Sequence, residues 1–422
     1  MIRIRKLNLN FLQKLIAFAM LIEVCLFYIF PLPKIFWFGN NGDNKSYILM
    51  VLYFAMFFMF VANGLKIRKD KLYDFITPYL VLQVLVAIVL ILRSKSVYSQ
   101  SWFDMLMCAD YLMVPITSIA FMAAMKKEED YQKMLYLIFI FVFICQIVIL
   151  IQGIIYNTTS IIIFKGMSSS GVPRMRNGSM RATWTILNFI GLDYAMFTFL
   201  NKGKQLATKK QASILLIISI INLVFFCGTR AIVIATFLSF LAMYVFGRKI
   251  KLMRKIMIVF LAVVLLFGFG LYGRIVKSFS VDGEYGGSTS VRMHEMDYYT
   301  KQIKRNPVFG MGLVRPKRND LKLIYGGPLG GTPTDVGLVG LMAETGLLGT
   351  GCFAILFFRG IYIILKTRKD ENNVYLIGLL AYIIATMPSI IITNISYITG
   401  MAICVAIFEG VYYRYKYIEN DK

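Results

Sequence analysis

Residues 274–346 read RIVKSFSVDGEYGGSTSVRMHEMDYYTKQIKRNPVFGMGLVRPKRNDLKLIYGGPLGGTPTDVGLVGLMAETG. This is the longest polar interval of the chain, set between an apolar run from Ile256 to Gly273 and another from Val336 onward. Its cations are Arg274, Lys277, Arg292, Lys301, Lys304, Arg305, Arg315, Lys317, Arg318 and Lys322; its acids are Asp282, Glu284, Glu295, Asp297, Asp320, Asp335 and Glu344. A glycine-rich coil, GGPLGGTPTD, delivers Asp335 to the mouth of an apolar helix. The remainder of the chain reads as a scaffold that holds this interval at a membrane surface.

Working outward, the 422 residues are 58% hydrophobic and only 16% charged, with mean hydropathy +0.67. A soluble domain carries about 25% charged residues. The apolar excess falls in runs of about 20 residues, the length that crosses a hydrocarbon core. The expectation is one all-α polytopic membrane domain over 1–422. About twelve spans are expected, at 11–31, 46–65, 73–92, 103–124, 133–153, 184–200, 212–227, 231–247, 255–273, 347–366, 374–393 and 397–412. The first apolar run has no A-x-A-like cleavage site after it and reads as a retained span.

The connections alternate in charge. MIRIRK, KIRKDK (66–71), KKEEDYQK (126–133), NKGKQLATKK (201–210), GRKIKLMRK (247–255), KTRKDENN (366–373) and YRYKY (413–417) are short and basic, so the positive-inside rule faces them to the cytoplasm with both termini. The connections 32–45, 93–102, 154–183, 228–230, 274–346 and 394–396 then face outward. Trp37, Trp102 and Trp184 lie in or beside outward connections, where interfacial aromatics anchor. The net charge of +24 sorts by side of a membrane, so it does not indicate nucleic acid. The six cysteines lie in or at the ends of apolar runs and read as packing residues; with a single histidine, no metal or other cofactor is expected. Neither G-x-x-x-x-G-K-[ST] nor G-x-G-x-x-G occurs, so no ATP-driven machinery is indicated.

Within 274–346, the span Val291 to Arg305 lacks Gly and Pro. Met293, Met296, Tyr299 and Ile303 recur at helical spacing, which predicts an amphipathic helix. Ser288, Thr289 and Ser290 are cap candidates, Arg292 falls in the first turn, and Asn306–Pro307 closes it. Phe309 to Gly312 returns the chain toward the membrane. The basic loop is open to two readings: a solvated or lipid-headgroup face, or a site for an anionic substrate.

The second outward loop, 154–183, carries Arg174, Arg176 and Arg181 among Ser, Gly and Pro, and Arg230 sits in a three-residue outer turn, where it either snorkels to the interface or meets an anion. Guanidinium groups bind phosphate oxygens bidentately. A pyrophosphate at the outer surface, the form of a lipid-linked sugar, fits the set Arg174, Arg176, Arg181, Arg230 and Arg292. Glycosyl transfer needs charge stabilisation of that leaving group and a base for the acceptor hydroxyl. Asp335 is the candidate base and equally a candidate helix cap. His294 is an alternative base or a solvated or packing histidine. Glu344, inside an apolar stretch, calls for an ion-pair partner. Asp110 and Asp193 are buried carboxylates, the basis of a rival transporter reading.

CGTRAIVIATFLSFL, SVRMHEMDYYTKQIKRNPVFGMGL and TDVGLVGLMAETGLLGTG, in that order, resemble the O-antigen polymerase/ligase superfamily of bacterial membrane glycosyltransferases. The resemblance spans about 225–355 by motif. It implies a helical membrane fold of the GT-C kind with a large extracytoplasmic loop between spans 9 and 10, at the bacterial inner membrane with the active site outside. It further implies an undecaprenyl-pyrophosphate-linked oligosaccharide as partner and no metal; a chain-length regulator and a flippase of the same pathway are further expected partners. The family's outer-loop arginines map to Arg292 and Arg230, and a third to Arg176 or Arg181. Many ligases of the family have a histidine nine residues before the Glu of Glu-Thr-Gly; Asp335 stands there, which fits polymerases better. The main expectation is therefore a polymerase of lipid-linked repeat units for capsule, exopolysaccharide or O-antigen. The alternatives are a ligase moving glycan to another acceptor and a flippase for lipid-linked oligosaccharide.

Overall fold

The computed structural model describes residues 7–30, 44–62, 70–108, 114–167, 174–176, 179–182, 184–201, 205–227, 229–247, 286–315, 320–328, 330–388 and 395–419. The expected ninth span, Asp110, Trp37 and the first part of the 274–346 loop lie outside the described residues.

The described chain is mostly helical. In order the helices are α1 (Phe11–Glu23), α2 (Asn44–Ala62), α3 (Ile76–Tyr98), α4 (Trp102–Cys108), α5 (Val114–Ala124), α6 (Glu128–Thr159), α7 (Ile186–Leu200), α8 (Lys209–Phe225), α9 (Arg230–Phe246), α10 (Gly286–Arg305), α11 (Lys322–Gly326), α12 (Gly337–Lys366), α13 (Asn373–Thr386) and α14 (Ile395–Arg414). Backbone in hydrocarbon must satisfy its own polar groups, so apolar runs of this length fold as helix. Local chemistry sets several starts. Asn10 and Gln13 cap α1 reciprocally, and Thr208 and Gln211 do the same for α8. Glu128, Glu129 and Asp130 occupy the first turn of α6, where the helix dipole favours anions.

By length and composition, Lys71–Tyr98, Glu128–Thr159 and Pro333–Lys366 can cross a membrane; Ile186–Leu200, Ala231–Phe246 and Asn373–Thr386 are shorter apolar helices. Of the fourth expected span the structure describes α4 and α5; residues 109–113 lie outside the described residues. Other spans and loops differ from the sequence reading. The tenth begins at Gly337, not 347, and is broken at Gly346. The loop 154–183 holds a small antiparallel hairpin, β1 (Arg174–Arg176) with β2 (Ser179–Arg181). Trp184 is buried against other side chains, whereas Trp102 is exposed.

Buried polar side chains tie the helices together. Asn222 Nδ2 donates to Gln146 Oε1 at 2.8 Å, Gln146 Nε2 donates to Asn188 Oδ1 at 3.2 Å, and Asn188 Nδ2 donates to Tyr28 Oη at 3.1 Å, linking α8, α6, α7 and the segment after α1. Ser239 Oγ of α9 lies 2.8 Å from Asp193 Oδ1 of α7 and 3.0 Å from the Gly378 carbonyl of α13. In a membrane such bonds contribute about 0.6 kcal/mol each on average, through pairing that lipid cannot replace.

One end of the bundle gathers the short basic connections. Lys126 pairs with Asp70, Arg414 Nε lies 2.8 Å from Glu128 Oε2, and Gln13 Nε2 donates to the Ala124 carbonyl at 3.2 Å. Close by, Arg359 of α12 holds Glu409 of α14 bidentately at 2.7 and 2.8 Å, with its guanidinium over the rings of Phe75, Tyr362 and Tyr412. The 23-residue α3 starts at this end and rises about 34 Å to the other.

Candidate functional site

At that other end the stretch NPVFGMGL (306–313) docks on the break in α12. Met311 N donates to Ala343 O at 2.7 Å and Gly312 N to Glu344 O at 2.9 Å; in return Leu347 N donates to Pro307 O at 2.9 Å and Leu348 N to Val308 O at 3.2 Å. The break frees carbonyls and N–H groups that a continuous helix would use internally, and the returning loop takes them up. Gly346 has φ +61° and Gly310 φ +64°, and a Cβ on either would run into the other segment's backbone. Both must be glycine for steric and conformational reasons.

The end of α3 clamps the same segment from the other side. Tyr98 Oη donates to Met311 O at 2.5 Å, Leu313 N to Ser94 Oγ at 2.8 Å, and Gln100 Nε2 to Leu313 O at 2.7 Å. Arg93 bonds Asn306 Oδ1 at 3.1 Å with its guanidinium over Phe309, and Arg315 pairs with Asp104.

Docking brings α10 and the glycine coil over the start of α12. A second, small core forms there from Tyr299, Met311, Val336 and Ala343, with Tyr298, Ile303, Tyr325 and Val339 packed around it. α10 grips the coil through backbone carbonyls: Tyr298 Oη donates to Ile324 O at 2.7 Å and Tyr299 Oη to Tyr325 O at 2.8 Å. α10 starts at Gly286, so Ser288, Thr289 and Ser290 lie inside the helix rather than at its cap, and Arg292 lies beyond the first turn. Its buried face is Glu295 and Tyr299; Met293 and Met296, expected on that face, are exposed.

Glu295 is the residue around which the site's charges meet. It is 4% exposed, and its Oε1 accepts from Thr332 N at 3.3 Å. Its Oε2 is buried without a hydrogen-bond partner. Burial holds its carboxyl above the usual glutamate range; the nearby charge of Asp335 pushes the same way, and the Thr332 N–H and Arg292 oppose it. Arg292 and Asp335 thus both act electrostatically on one carboxyl. Both are exposed, and neither forms an ion pair with a described residue. Asp335 lies in a 3-10 turn, Pro333–Val336, and does not cap: the N-cap of α12 is Val336, with no side-chain bond. His294 is exposed on α10. Glu344 is buried two turns into α12, where its charge acts on the Tyr299 phenol.

The arginines of the second loop assemble separately. Arg181 Nη2 donates to Thr229 Oγ1 at 2.7 Å, and Ala182 N donates to Phe226 O at 2.8 Å, so β2 is fastened to the turn that opens α9 at Arg230. The hairpin register sets Arg174 opposite Arg181 and Arg176 opposite Ser179, positions that share one face of the ribbon.

This group lies at the same end of the bundle as Asp335. Phe189, near the start of α7, stacks on Tyr382 of α13 at 3.4 Å, and Phe197, near its end, packs on Tyr375 at 5.7 Å, so α13 runs antiparallel to α7. α13 therefore ends where α7 and α9 begin, and there Met387 O accepts from Leu338 N of α12 at 2.9 Å.

Sequence reasoning missed Glu295, counted only among the acids of the loop, and the clamp formed by Arg93, Ser94, Tyr98 and Gln100. A signal for Glu295 was present: it stands three residues after Arg292 and four before Tyr299, on the face that turned inward.

Residues 214–354 match the family model described as O-Antigen ligase. The match runs from within α8 through α12. It takes in Arg230, Arg292, Glu295, Asp335 and Glu344 together with both halves of the docked glycine pair. It supports membership of the O-antigen ligase/polymerase superfamily. No curated protein matches the chain.

Proposed function

We propose that this protein polymerises polyprenyl-pyrophosphate-linked oligosaccharide repeat units into a surface polysaccharide at the outer face of the bacterial inner membrane. The family match supports an O-antigen ligase/polymerase-type function in general. The observation that supports the finer reading is that Glu295, three residues after Arg292, accepts the N–H of Thr332, three residues before Asp335, so that the two candidate residues come from segments joined at one buried carboxyl.

In this reading Asp335 takes the proton of an acceptor sugar hydroxyl as that oxygen attacks the anomeric carbon of a second lipid-linked unit. The bond from that carbon to the pyrophosphate breaks, and its electron pair leaves on the pyrophosphate oxygen. Arg292 stabilises the developing charge, as fixed cations do most effectively where charge appears only in the transition state. Arg181, Arg176 and Arg230 hold the rest of the pyrophosphate. Glu344, buried behind the site, is assigned a structural ion-pair role.

A ligase reading, one transfer to a different acceptor, is favoured by the description of the matching family. Purified protein in liposomes with lipid-linked repeat unit separates the two. A ladder of lengthening glycans supports polymerisation; a single transfer product, seen only when a second acceptor is added, supports ligation.

A further inference from the structure

We propose that Glu295 is the positioning residue of this site: its carboxyl fastens the glycine coil that carries Asp335 to the helix that carries Arg292, so that base and guanidinium are held at one separation. The inference rests on the reading of Asp335 and Arg292 given above and adds a residue to it.

Three observations carry it. Glu295 Oε1 receives the Thr332 N–H, three residues before Asp335, at 3.3 Å. A Cβ at Gly331 would collide with the Glu295 carboxyl, so coil and side chain are in direct apposition. The carboxyl is 4% exposed, yet Oε2 has no hydrogen-bond partner among the described residues. A buried unpaired carboxylate oxygen is costly, and it persists where the surrounding structure uses the group for something else. The groups facing it are Arg292 and Tyr299 on its own helix and Asp335 on the turn that follows the coil; Glu344 on α12 lies behind Tyr299. The direction of its titration agrees with this apposition: burial and the nearby charge of Asp335 both raise the carboxyl's pKa, and the Thr332 N–H and Arg292 oppose them.

The anchor is an acceptor oxygen, so an amide can replace it and a methyl cannot. Displacing a catalytic group by about 1 Å can cost on the order of 10²-fold in rate. In the liposome assay, Glu295→Ala is expected to lower kcat by about that factor with KM for the lipid-linked unit little changed, because Arg292 remains. Glu295→Gln is expected to recover most of the loss.

Hydrogen–deuterium exchange supplies a readout independent of chemistry: the amides of 326–335 should lose protection in Glu295→Ala and keep it in Glu295→Gln. If Glu295→Ala does not insert, Gly331→Ala displaces the same carboxyl and should give the same kcat loss. A Glu295→Ala protein with wild-type kcat and wild-type coil protection overturns the inference, as does equal impairment of the Ala and Gln variants with the coil still protected. If Arg292→Ala and Asp335→Asn are themselves fully active, it is the underlying reading of the site that fails, whatever Glu295 does.

Discussion

The two ends of the helical bundle treat charge in opposite ways. At the basic end, Arg359 is saturated by both oxygens of Glu409 and by three aromatic rings, and Arg414 lies against Glu128, the Met125 carbonyl and the Tyr131 ring, with only its Nη2 lacking a hydrogen-bond partner among the described residues. At the other end Arg292 and Asp335 are exposed and outside any ion pair with a described residue, and they flank a buried carboxyl with one oxygen unpartnered. Saturated charge inside a membrane protein holds helices together. Charge left unsaturated beside a rigid break in a helix is available to a ligand.

The comparison can be broken most directly by exchanging the outcomes of mutation at the two ends. Asp335→Asn and Arg292→Ala should each lower glycan transfer by roughly 10²- to 10⁴-fold, the range for removing a general base or a charge stabiliser, while leaving thermal unfolding unchanged. Glu409→Ala should do the reverse. It leaves Arg359 buried without its partner, which costs about 3–5 kcal/mol, so the melting temperature should fall while the folded fraction keeps its kcat.

Gly346→Ala sharpens the comparison because it attacks the break itself. A side chain at φ +61° costs roughly 1–3 kcal/mol and would also push away the docked 307–312 segment. Stability and activity should both drop, and proteolysis within 306–315 should rise.

Protonation gives a subtler contrast. The Glu295 carboxyl titrates above its unfolded value, so its contribution is fully present below the unfolded pKa and is lost as pH rises through the folded one. Infrared spectra should show a protonated carboxyl persisting above the ordinary glutamate range and missing in Glu295→Gln. The smallest expected effect is Gln146→Leu, which breaks one interhelical network at about 0.6 kcal/mol per bond and should shift melting slightly with no change in transfer.

Much of this architecture was legible in the sequence. Apolar runs announce helices because hydrocarbon leaves the backbone no other partner, and the pairing of the short basic segments at one end follows their shared composition. The break at Gly346 was less legible: Glu-Thr-Gly sits in an apolar run that reads as continuous, and only contact with Gly310, 36 positions earlier, explains the glycine. Arg292 and Asp335 stand out in the sequence as candidates, by charge and by the coil before Asp335. Glu295 does not, because a carboxylate on a polar helix reads as solvated until packing turns its face inward. The same long-range packing buries Trp184.

The central claim is that Arg292 and Asp335 serve one reaction on a pyrophosphate-linked glycan. Its most direct test is single-turnover transfer in liposomes by wild type, Arg292→Ala and Asp335→Asn, each checked as folded and monodisperse. The account predicts a glycan ladder from wild type and its loss in both variants; ladders of undiminished rate from both would contradict it.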